Sequence, residues 1–222
     1  TAGVLPDTIT YSTLITACAN GGQWQEAVRV FEDMQAAGVL PDTITYSTLV
    51  EATANSGKMD MALQFYIMGA QAGCFQNYQL LDDQLPSNYV REVSAAVASG
   101  DMARTGRGVI YIIDLHELSE IGSQVCLLSL LRHLRRHREL LARSDITNLH
   151  IITGWGKHAE AGVSKVRTAV QNMLEEGLDH PLPLHTPENN PGMFLISMPD
   201  MLQWLDRFDS PEQISVKERP RA

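Results

Sequence analysis

The chain has little cysteine, no long apolar run and no excess of basic residues. Its three cysteines, Cys18, Cys74 and Cys126, are far apart, which excludes a disulfide framework and the usual spacings of zinc ligands. The longest apolar runs, at 108–113 and 125–131, are much shorter than a membrane-spanning helix. We therefore predict no membrane insertion. No ligand pattern supports a metal site, so we predict no cofactor and leave a divalent metal ion open.

The charge balance is acidic. The 222 residues include 26 acidic and 17 basic ones, for a net charge of −9. Residues 1–77 alone contain 7 acidic and 2 basic residues. Proteins that bind nucleic acids usually present a basic face, so the charge by itself does not indicate such a partner.

One stretch, GVLPDTITYSTL, occurs twice without a substitution, at residues 3–14 and 38–49. The 35-residue period defines two units, 8–42 and 43–77. Each unit contains two amphipathic segments around a Gly-containing turn, which predicts a helical hairpin, and hairpins of fixed period stack into a solenoid. Residues 1–7 match the end of a unit. We therefore expect further repeats, and a targeting peptide, upstream of this sequence.

The period, TITYSTLI and FEDMQAAGVLPD resemble the pentatricopeptide-repeat family. The resemblance implies binding of single-stranded RNA, one base per repeat. It implies that the fifth residue of the first helix and the last residue of the unit contact the base edge, and that the second residue packs against the base face. These positions are Ser12 with Asp42 and Ser47 with Asn77 for the edge, and Ile9 and Ile44 for the face. The resemblance implies guanine for Ser with Asp and adenine for Ser with Asn. Residues of these types also commonly cap helices and form turns, and that alternative stays open.

The repeat period ends after residue 77. Residues 78–104 are predicted to form a helical connector, with one helix around 89–98, that caps the solenoid. From residue 105 apolar strands alternate with amphipathic helices in the order β-α-β-α-β-β. The fold class is therefore α + α/β: a helical hairpin solenoid, then a two-layer sandwich over 105–208 with a terminal helix at 201–208. Residues 209–222 are predicted to be a frayed tail.

The strands of the second part are predicted at GVIYIIDLH, LHIIT, LPLHT and GMFLIS. A long helix is expected to follow the N-cap Ser119. A second helix is expected over 163–177, ending at Gly177.

Two groups of polar residues follow the predicted strands. Asp114 and His116 are two residues apart at a strand end, where a carboxylate can orient an imidazole that acts as a general base. The TGWG turn after the second strand can present backbone N–H groups to a phosphate, with further charge and stacking from the residues beside it. The residues of this loop are Thr153, Gly154, Trp155, Gly156, Lys157 and His158.

The basic patch of the chain consists of Arg132, Arg135, Arg136 and Arg138. It is a second candidate for contact with phosphates. The alternatives are structural: a tight strand–helix turn for TGWG, a packing role for Trp155, and a solvated helix face for the arginines.

The second part resembles the small MutS-related (SMR) domain, through IIDLHEL at 112–118, ITGWGKH at 152–158 and ENNPGMFLIS at 188–197. The combination resembles organellar proteins that carry both modules. It implies an RNA-binding protein of the chloroplast, or alternatively the mitochondrion, whose SMR domain binds or cleaves RNA. Glu117 and Ala159 depart from the family pattern, which leaves RNA endonuclease activity open. The competing hypothesis is a non-catalytic subunit that docks on the proteins of an organellar complex, such as the transcription machinery, a ribosome or a photosynthetic complex.

Overall fold

The structure, a computed structural model, describes residues 5–75, 90–94, 107–154 and 164–217. The chain divides into two compact units, which separate between residues 80 and 81. The described residues 5–75 belong to the first unit, and the other described residues belong to the second.

The first unit consists of two helical hairpins. The helices are α1 (Thr8–Asn20), α2 (Trp24–Ala36), α3 (Thr43–Asn55) and α4 (Met59–Gln71). The hairpins repeat with the sequence period, so the predicted pair of helix–turn–helix units is confirmed. Gly22 and Gly57, at matching positions, have φ angles of 71° and 75°, in the left-handed region that glycine adopts without strain. The repeat therefore preserves the turn inside each hairpin.

The first helix of each hairpin begins at an aspartate. Asp7 caps α1 and Asp42 caps α3, and each Oδ1 accepts a hydrogen bond from a threonine amide three residues later. The hydroxyls of these threonines, Thr10 and Thr45, also donate to the same oxygens at 2.7 Å. The LPD sequence before each helix thus ends one unit and starts the next.

Aromatic side chains pack the two hairpins together. The ring of Phe31, in α2, lies edge-on to Tyr46 at 5.7 Å and to Phe65 at 5.4 Å. All three side chains are buried, as is Met34. Burying one such side chain contributes about 1.5–3 kcal/mol, so stacking of neighbouring hairpins stabilises the solenoid.

The second hairpin ends differently from the first. Phe75 stacks on Tyr66 with ring centroids 5.3 Å apart. A Cβ added at Gly69 would lie 2.4 Å from the Phe75 ring, so a larger residue here would force this ring to shift. One period earlier, the matching position of Phe75 is Leu40, which is 81% exposed. The same turn therefore points a side chain outward in one unit and inward in the next.

The second unit contains a four-stranded sheet surrounded by helices. Its strands are β1 (Val90–Ser94), β2 (Arg107–Asp114), β3 (Ile146–Ile152) and β4 (Met193–Ser197). Its helices are α5 (Glu120–Arg136), α6 (Arg138–Ala142), α7 (Lys165–Asn172), which continues as a π-helix over Met173–Gly177, α8 (Met198–Leu205) and a 3-10 turn (Pro211–Gln213). The helical first unit followed by a sheet with helices confirms the coarse α + α/β class.

The sheet order is β1-β2-β3-β4. Strands β2 and β3 are parallel, and β1 and β4 pair antiparallel with their neighbours. Asp114, Ile152 and Met193 are cross-strand neighbours in one row. This row marks the edge at which β2 and β3 end and β4 begins.

The core of the second unit covers both faces of β3 and β4. Leu149, His150 and Ile151 are consecutive and buried, and so are the residues from Met193 to Ile196. Adjacent strand residues point to opposite faces, so the open face expected of a two-layer sandwich is absent along these two strands. Trp204, in α8, is buried, and its Nε1 donates to the carbonyl of His180 at 2.8 Å.

Three predictions from the sequence are wrong. The helix expected around 89–98 is replaced by the strand β1, which pairs with β2. Val90, Val93 and Val97 have helical spacing, but β-branched residues favour a strand once a neighbour is present. The predicted strand LPLHT is reduced to one bridge, between His185 and Leu195, because prolines at 181 and 183 donate no hydrogen bonds to a ladder.

The third error concerns the tail. Ile214 is fully buried and Val216 forms a bridge with Leu178. Residues 209–217 are therefore a packed part of the second unit. Residues 218–222, like most of the predicted connector, lie outside the described residues. No helix of the described residues is long and apolar enough to cross a membrane.

Candidate functional site

The first candidate site lies between the starts of α1 and α3. The Ser12 hydroxyl is 3.4 Å from Oδ1 of Asp42 and 2.9 Å from the hydroxyl of Thr45. It also donates to the Thr8 carbonyl at 2.7 Å. The structure thus brings together the two residues that the sequence predicted to contact one base, although they are 30 residues apart.

The Asp42 carboxylate is oriented by its own helix cap. Its hydrogen bonds within the described residues end on Oδ1, which accepts from the Thr45 amide and the Thr45 hydroxyl and lies 3.4 Å from the Ser12 hydroxyl. Partial burial by itself would raise the pKa of Asp42, but these hydrogen bonds outweigh it and lower the pKa below its usual value. Asp42 is therefore ionised at neutral pH, and Oδ2 is left to accept from a ligand.

Apolar side chains are exposed around this carboxylate. Ile9 is 75% exposed and Ile44 is 61% exposed, although both are large aliphatic residues in helices. The Thr8 hydroxyl donates to the carbonyl of Leu40 at 3.1 Å, which holds the exposed Leu40 beside the start of α1. Leu40 was not predicted from the sequence to belong to this site, although the repeated GVLPD turn carries the same leucine at position 5.

The second predicted base-reading pair is described only in part. Ser47 is half-buried in α3, and Asn77 lies outside the described residues. Phe75, which occupies the position that Leu40 has in the first pair, packs on Tyr66. The apolar surroundings of the two predicted pairs therefore differ.

A second candidate site lies at the edge of the sheet where β2 ends. Nδ1 of His116 is 2.6 Å from Oδ1 of Asp114, and the His116 amide donates to the same oxygen at 3.2 Å. The hydrogen bond to Asp114 raises the pKa of His116 above its usual value, against a smaller opposing effect of burial. With Nδ1–H directed at the carboxylate, Nε2 of the neutral imidazole faces outward as a base.

Glu117 follows His116 and limits the approach of a phosphate to this imidazole. One of its carboxylate oxygens lies 3.6 Å from Nε2 of His116. It further raises the pKa of the imidazole, after the larger effect of Asp114. A phosphate that approached Nε2 would meet this negative charge.

The predicted phosphate loop begins beside His116. A Cβ added at Gly154 would lie 3.3 Å from the His116 Cβ. The amides of Thr153 and Gly154 both donate to the Gly192 carbonyl, at 2.9 and 3.2 Å. These two N–H groups are therefore used inside the fold, which contradicts their predicted role in a phosphate cradle. The remaining loop residues, Trp155, Gly156, Lys157 and His158, lie outside the described residues.

The predicted basic patch is mostly used for internal bonds. Arg132 and Arg135 donate to the carbonyls of Ile214 and Phe208, at 2.9 and 2.7 Å. Arg138 makes a two-fold hydrogen bond with Asp206, at 2.7 and 2.6 Å. Arg136 is exposed and lies 3.9 Å from Glu212. Three of the four arginines therefore fasten the C-terminal segment to α5 and to the start of α6, and of the four only Arg136 keeps the outward position predicted for a phosphate contact.

A further cation, Arg167 in α7, lies at the same sheet edge as His116 and was not singled out from the sequence. Its Nη1 is 3.4 Å from the carbonyl of Met193, the first residue of β4. No group of three or more His, Cys, Asp or Glu residues in the described parts of the chain has the geometry to hold a metal ion.

Comparison with known proteins identifies the repeats of the first unit. Residues 6–55 match the model of the PPR repeat family, and residues 44–74 match the model of the PPR repeat. These matches confirm the pentatricopeptide-repeat part of the sequence prediction, and PPR repeats generally indicate RNA binding. No SMR match accompanies them. A search of curated proteins finds no match to the chain.

Proposed function

We propose that this protein reads single-stranded RNA with its repeats, and that the site between α1 and α3 selects guanine. The observation that carries the proposal is the contact of Ser12 with Asp42, flanked by the exposed Ile9 and Ile44. A charged acceptor between exposed aliphatic side chains suits a planar base with polar edges.

The preference for guanine follows from hydrogen-bond chemistry. An ionised carboxylate only accepts hydrogen bonds. Guanine has two adjacent N–H donors on its Watson–Crick edge, whereas each of the other bases has an acceptor beside its donor. Oδ2 of Asp42 is the acceptor left by the cap, and Ile9 and Ile44 pack against the faces of the base.

The second repeat is proposed to select adenine. Ser47 with Asn77 offers an amide, which both donates and accepts and so matches the mixed edge of adenine. The two units together would prefer 5′-GA-3′.

The affinity of these two repeats for RNA is expected to be low. Residues 5–75 include two cations, Arg29 and Lys58, and affinity for the phosphate backbone grows with the number of phosphates neutralised. Tight binding therefore requires more phosphate contacts than these two repeats supply.

For the second unit we propose an SMR domain that binds RNA and cleaves it slowly. Neutral His116, held by Asp114, would take the proton of a 2′-hydroxyl through Nε2. The 2′-oxygen would attack the adjacent phosphorus, the bond from phosphorus to the 5′-oxygen would break, and that oxygen would take a proton from water. Glu117 is expected to slow this step, because its charge repels the phosphate.

A second candidate function is a non-catalytic subunit of an organellar complex. The observations that favour it are the internal bonds of Arg132, Arg135 and Arg138 and the acidic balance of the chain. PPR proteins are commonly organellar. We propose the chloroplast as the compartment, with the mitochondrion as the alternative.

The experiment that tests the proposal compares four RNAs that differ only at the first of the two proposed bases. Binding of each to the full chain is measured by fluorescence anisotropy at 50 and 200 mM salt. We expect the guanine RNA to bind most tightly and all affinities to fall with salt. Equal affinities for all four bases would refute base reading. Binding to none of them, with capture of an organellar protein complex instead, would favour the second function.

Cleavage is tested separately on the unchanged chain and on Asp114→Ala and His116→Ala. Cleavage that is indifferent to both substitutions would end the nuclease part of the proposal.

A further inference from the structure

Arg167 lies at the sheet edge that carries His116. Asp114, Ile152 and Met193 form one cross-strand row at this edge, and neighbouring strands are about 5 Å apart. The backbones of Asp114 and Met193 are therefore about 10 Å apart. Arg167 reaches the Met193 carbonyl, so its guanidinium lies on the far side of the row from the Asp114–His116 pair.

The guanidinium is held in place by neutral groups. Its central carbon lies 4.0 Å from the centroid of the Phe194 ring, as in a cation–π contact. Nη2 donates to the Thr186 hydroxyl at 2.8 Å, and Nη1 makes the longer contact with the Met193 carbonyl. The planar group is thus oriented without a negative partner.

No carboxylate of the described residues forms an ion pair with Arg167. Burial lowers the pKa of this arginine, and no charged group contributes to the shift. Partial burial of an unpaired charge costs free energy. Arg138, by contrast, has Asp206 as a two-fold partner. Arg167 is therefore a half-buried, oriented cation whose charge no carboxylate of the described residues balances.

The segment that joins Arg167 to the His116 site is also fixed. Ser164 caps α7 by accepting from the Arg167 amide at 3.3 Å, and its hydroxyl donates to the Thr153 carbonyl at 2.8 Å. Thr153 is followed by Gly154, which lies against His116. The backbone of Arg167 is therefore tied to the same loop that contacts the imidazole.

We propose that Arg167 binds a phosphate of single-stranded RNA beside the one that His116 addresses, and so positions the strand across the sheet edge. The inference rests on the proposed RNA binding of the second unit. A guanidinium fork can donate to two phosphate oxygens at once. An extended strand that crossed the row from His116 toward β4 would bring its next phosphate to this fork.

The test is a titration of the full ¹⁵N-labelled chain with single-stranded oligouridine, which carries neither of the bases proposed for the repeats. The Nε–Hε signal of Arg167 is assigned by its loss in Arg167→Lys. We expect this signal and the imidazole signals of His116 to shift and saturate together. A His116 response without an Arg167 response would overturn the inference and leave RNA binding intact. No response from either residue would overturn both.

A second measurement separates phosphate binding from structure. We expect Arg167→Gln to weaken oligouridine binding about 5-fold at 50 mM salt and to reduce the salt slope by about 0.7, without a lower thermal midpoint. The matched control is Arg143→Gln, since the Arg143 side chain is 79% exposed and its contact with Glu139 is long, at 4.0 Å. The affinity of this control variant for oligouridine should stay unchanged. An unchanged slope in Arg167→Gln would contradict the proposal. If this variant fails to fold, the affinity of Arg167→Lys for oligouridine is measured instead. Weaker binding supports the proposal, and unchanged affinity overturns it.

Discussion

The substitution Asp42→Asn is predicted to change the base preference of the first repeat from guanine to adenine. In the protein the Oδ1 atom of Asp42 accepts hydrogen bonds from the Thr45 amide and the Thr45 hydroxyl. The carbonyl oxygen of an asparagine can accept the same bonds, and Asn caps helices as well as Asp does. The amide nitrogen would then occupy the position of Oδ2. An acceptor that faces the base is thereby replaced by a donor, and the cap is kept.

The expected change in relative affinity for guanine and adenine follows from the hydrogen bonds that are exchanged. A well-formed pair of hydrogen bonds to a base edge discriminates by about 1–3 kcal/mol, which is about 5- to 150-fold in affinity. Removing the guanine contact and gaining the adenine contact should therefore change the ratio of the two affinities by at least about 10-fold. The carboxylate is only partly buried, so the smaller end of this range is expected.

The assay is fluorescence anisotropy of the full chain with two RNAs that differ by guanine or adenine at this one base. Asp7→Asn is the matched control, because Asp7 makes the same two bonds with Thr10 but ends the preceding unit. It should leave the preference at this base unchanged. A guanine-to-adenine ratio that stays within two-fold in Asp42→Asn would refute the assignment of Asp42 to base reading.

Three further predictions concern the second site and the end of the solenoid. Glu117→Gln should raise RNA affinity and cleavage at the second unit several-fold, since it removes the charge 3.6 Å from the His116 ring; an equal or lower rate in a cleavage assay would contradict this. The hydrogen bond from Asp114 raises the pKa of His116, so the protonated form is favoured in the folded state. The base is neutral only above that pKa, and cleavage should therefore rise with pH through it. In Asp114→Asn the rise should move to lower pH, and an NMR titration of His116 that shows no such shift would refute the role of Asp114. Gly69→Ala should destabilise the first unit by about 1–2 kcal/mol despite the better helix propensity of Ala, because its Cβ would meet the Phe75 ring. Thermal unfolding checks this, and Phe75→Leu in the same chain should recover most of the loss.

Local pattern accounts for what the sequence predicted correctly. The 35-residue period defined both hairpins, because helix caps, Gly turns and apolar spacing are short-range features that recur with it. The strands β2, β3 and β4 and the helix after Ser119 were readable for the same reason. Asp114 and His116 were predicted to lie together, and their two-residue separation at a strand end suffices for that.

Long-range contacts decided the features of the fold that the sequence did not predict. Val90–Ser94 is a strand because β2 pairs with it. Ile214 is buried because the segment after α8 folds back onto α5, where Arg132 donates to its carbonyl. Neither contact can be predicted from neighbouring residues in the sequence. Arg132, Arg135 and Arg138 were predicted to form a basic patch, but the fold supplies carbonyls and Asp206 as their partners. The amides of Thr153 and Gly154 were expected to face a phosphate until β4 brought the Gly192 carbonyl against them.

The same distinction applies to the two candidate sites. The sequence by itself determined the repeat, its period and the residue types at the positions proposed to read bases, because these follow from a pattern that occurs twice in the chain. Only the tertiary structure decided that Ser12 meets Asp42, that Leu40 stands exposed beside them while Phe75 turns inward, and that Arg167 has no carboxylate partner among the described residues. A hydrogen-bonding group or a charge acquires its role from the partners that folding brings to it, and those partners are distant in sequence.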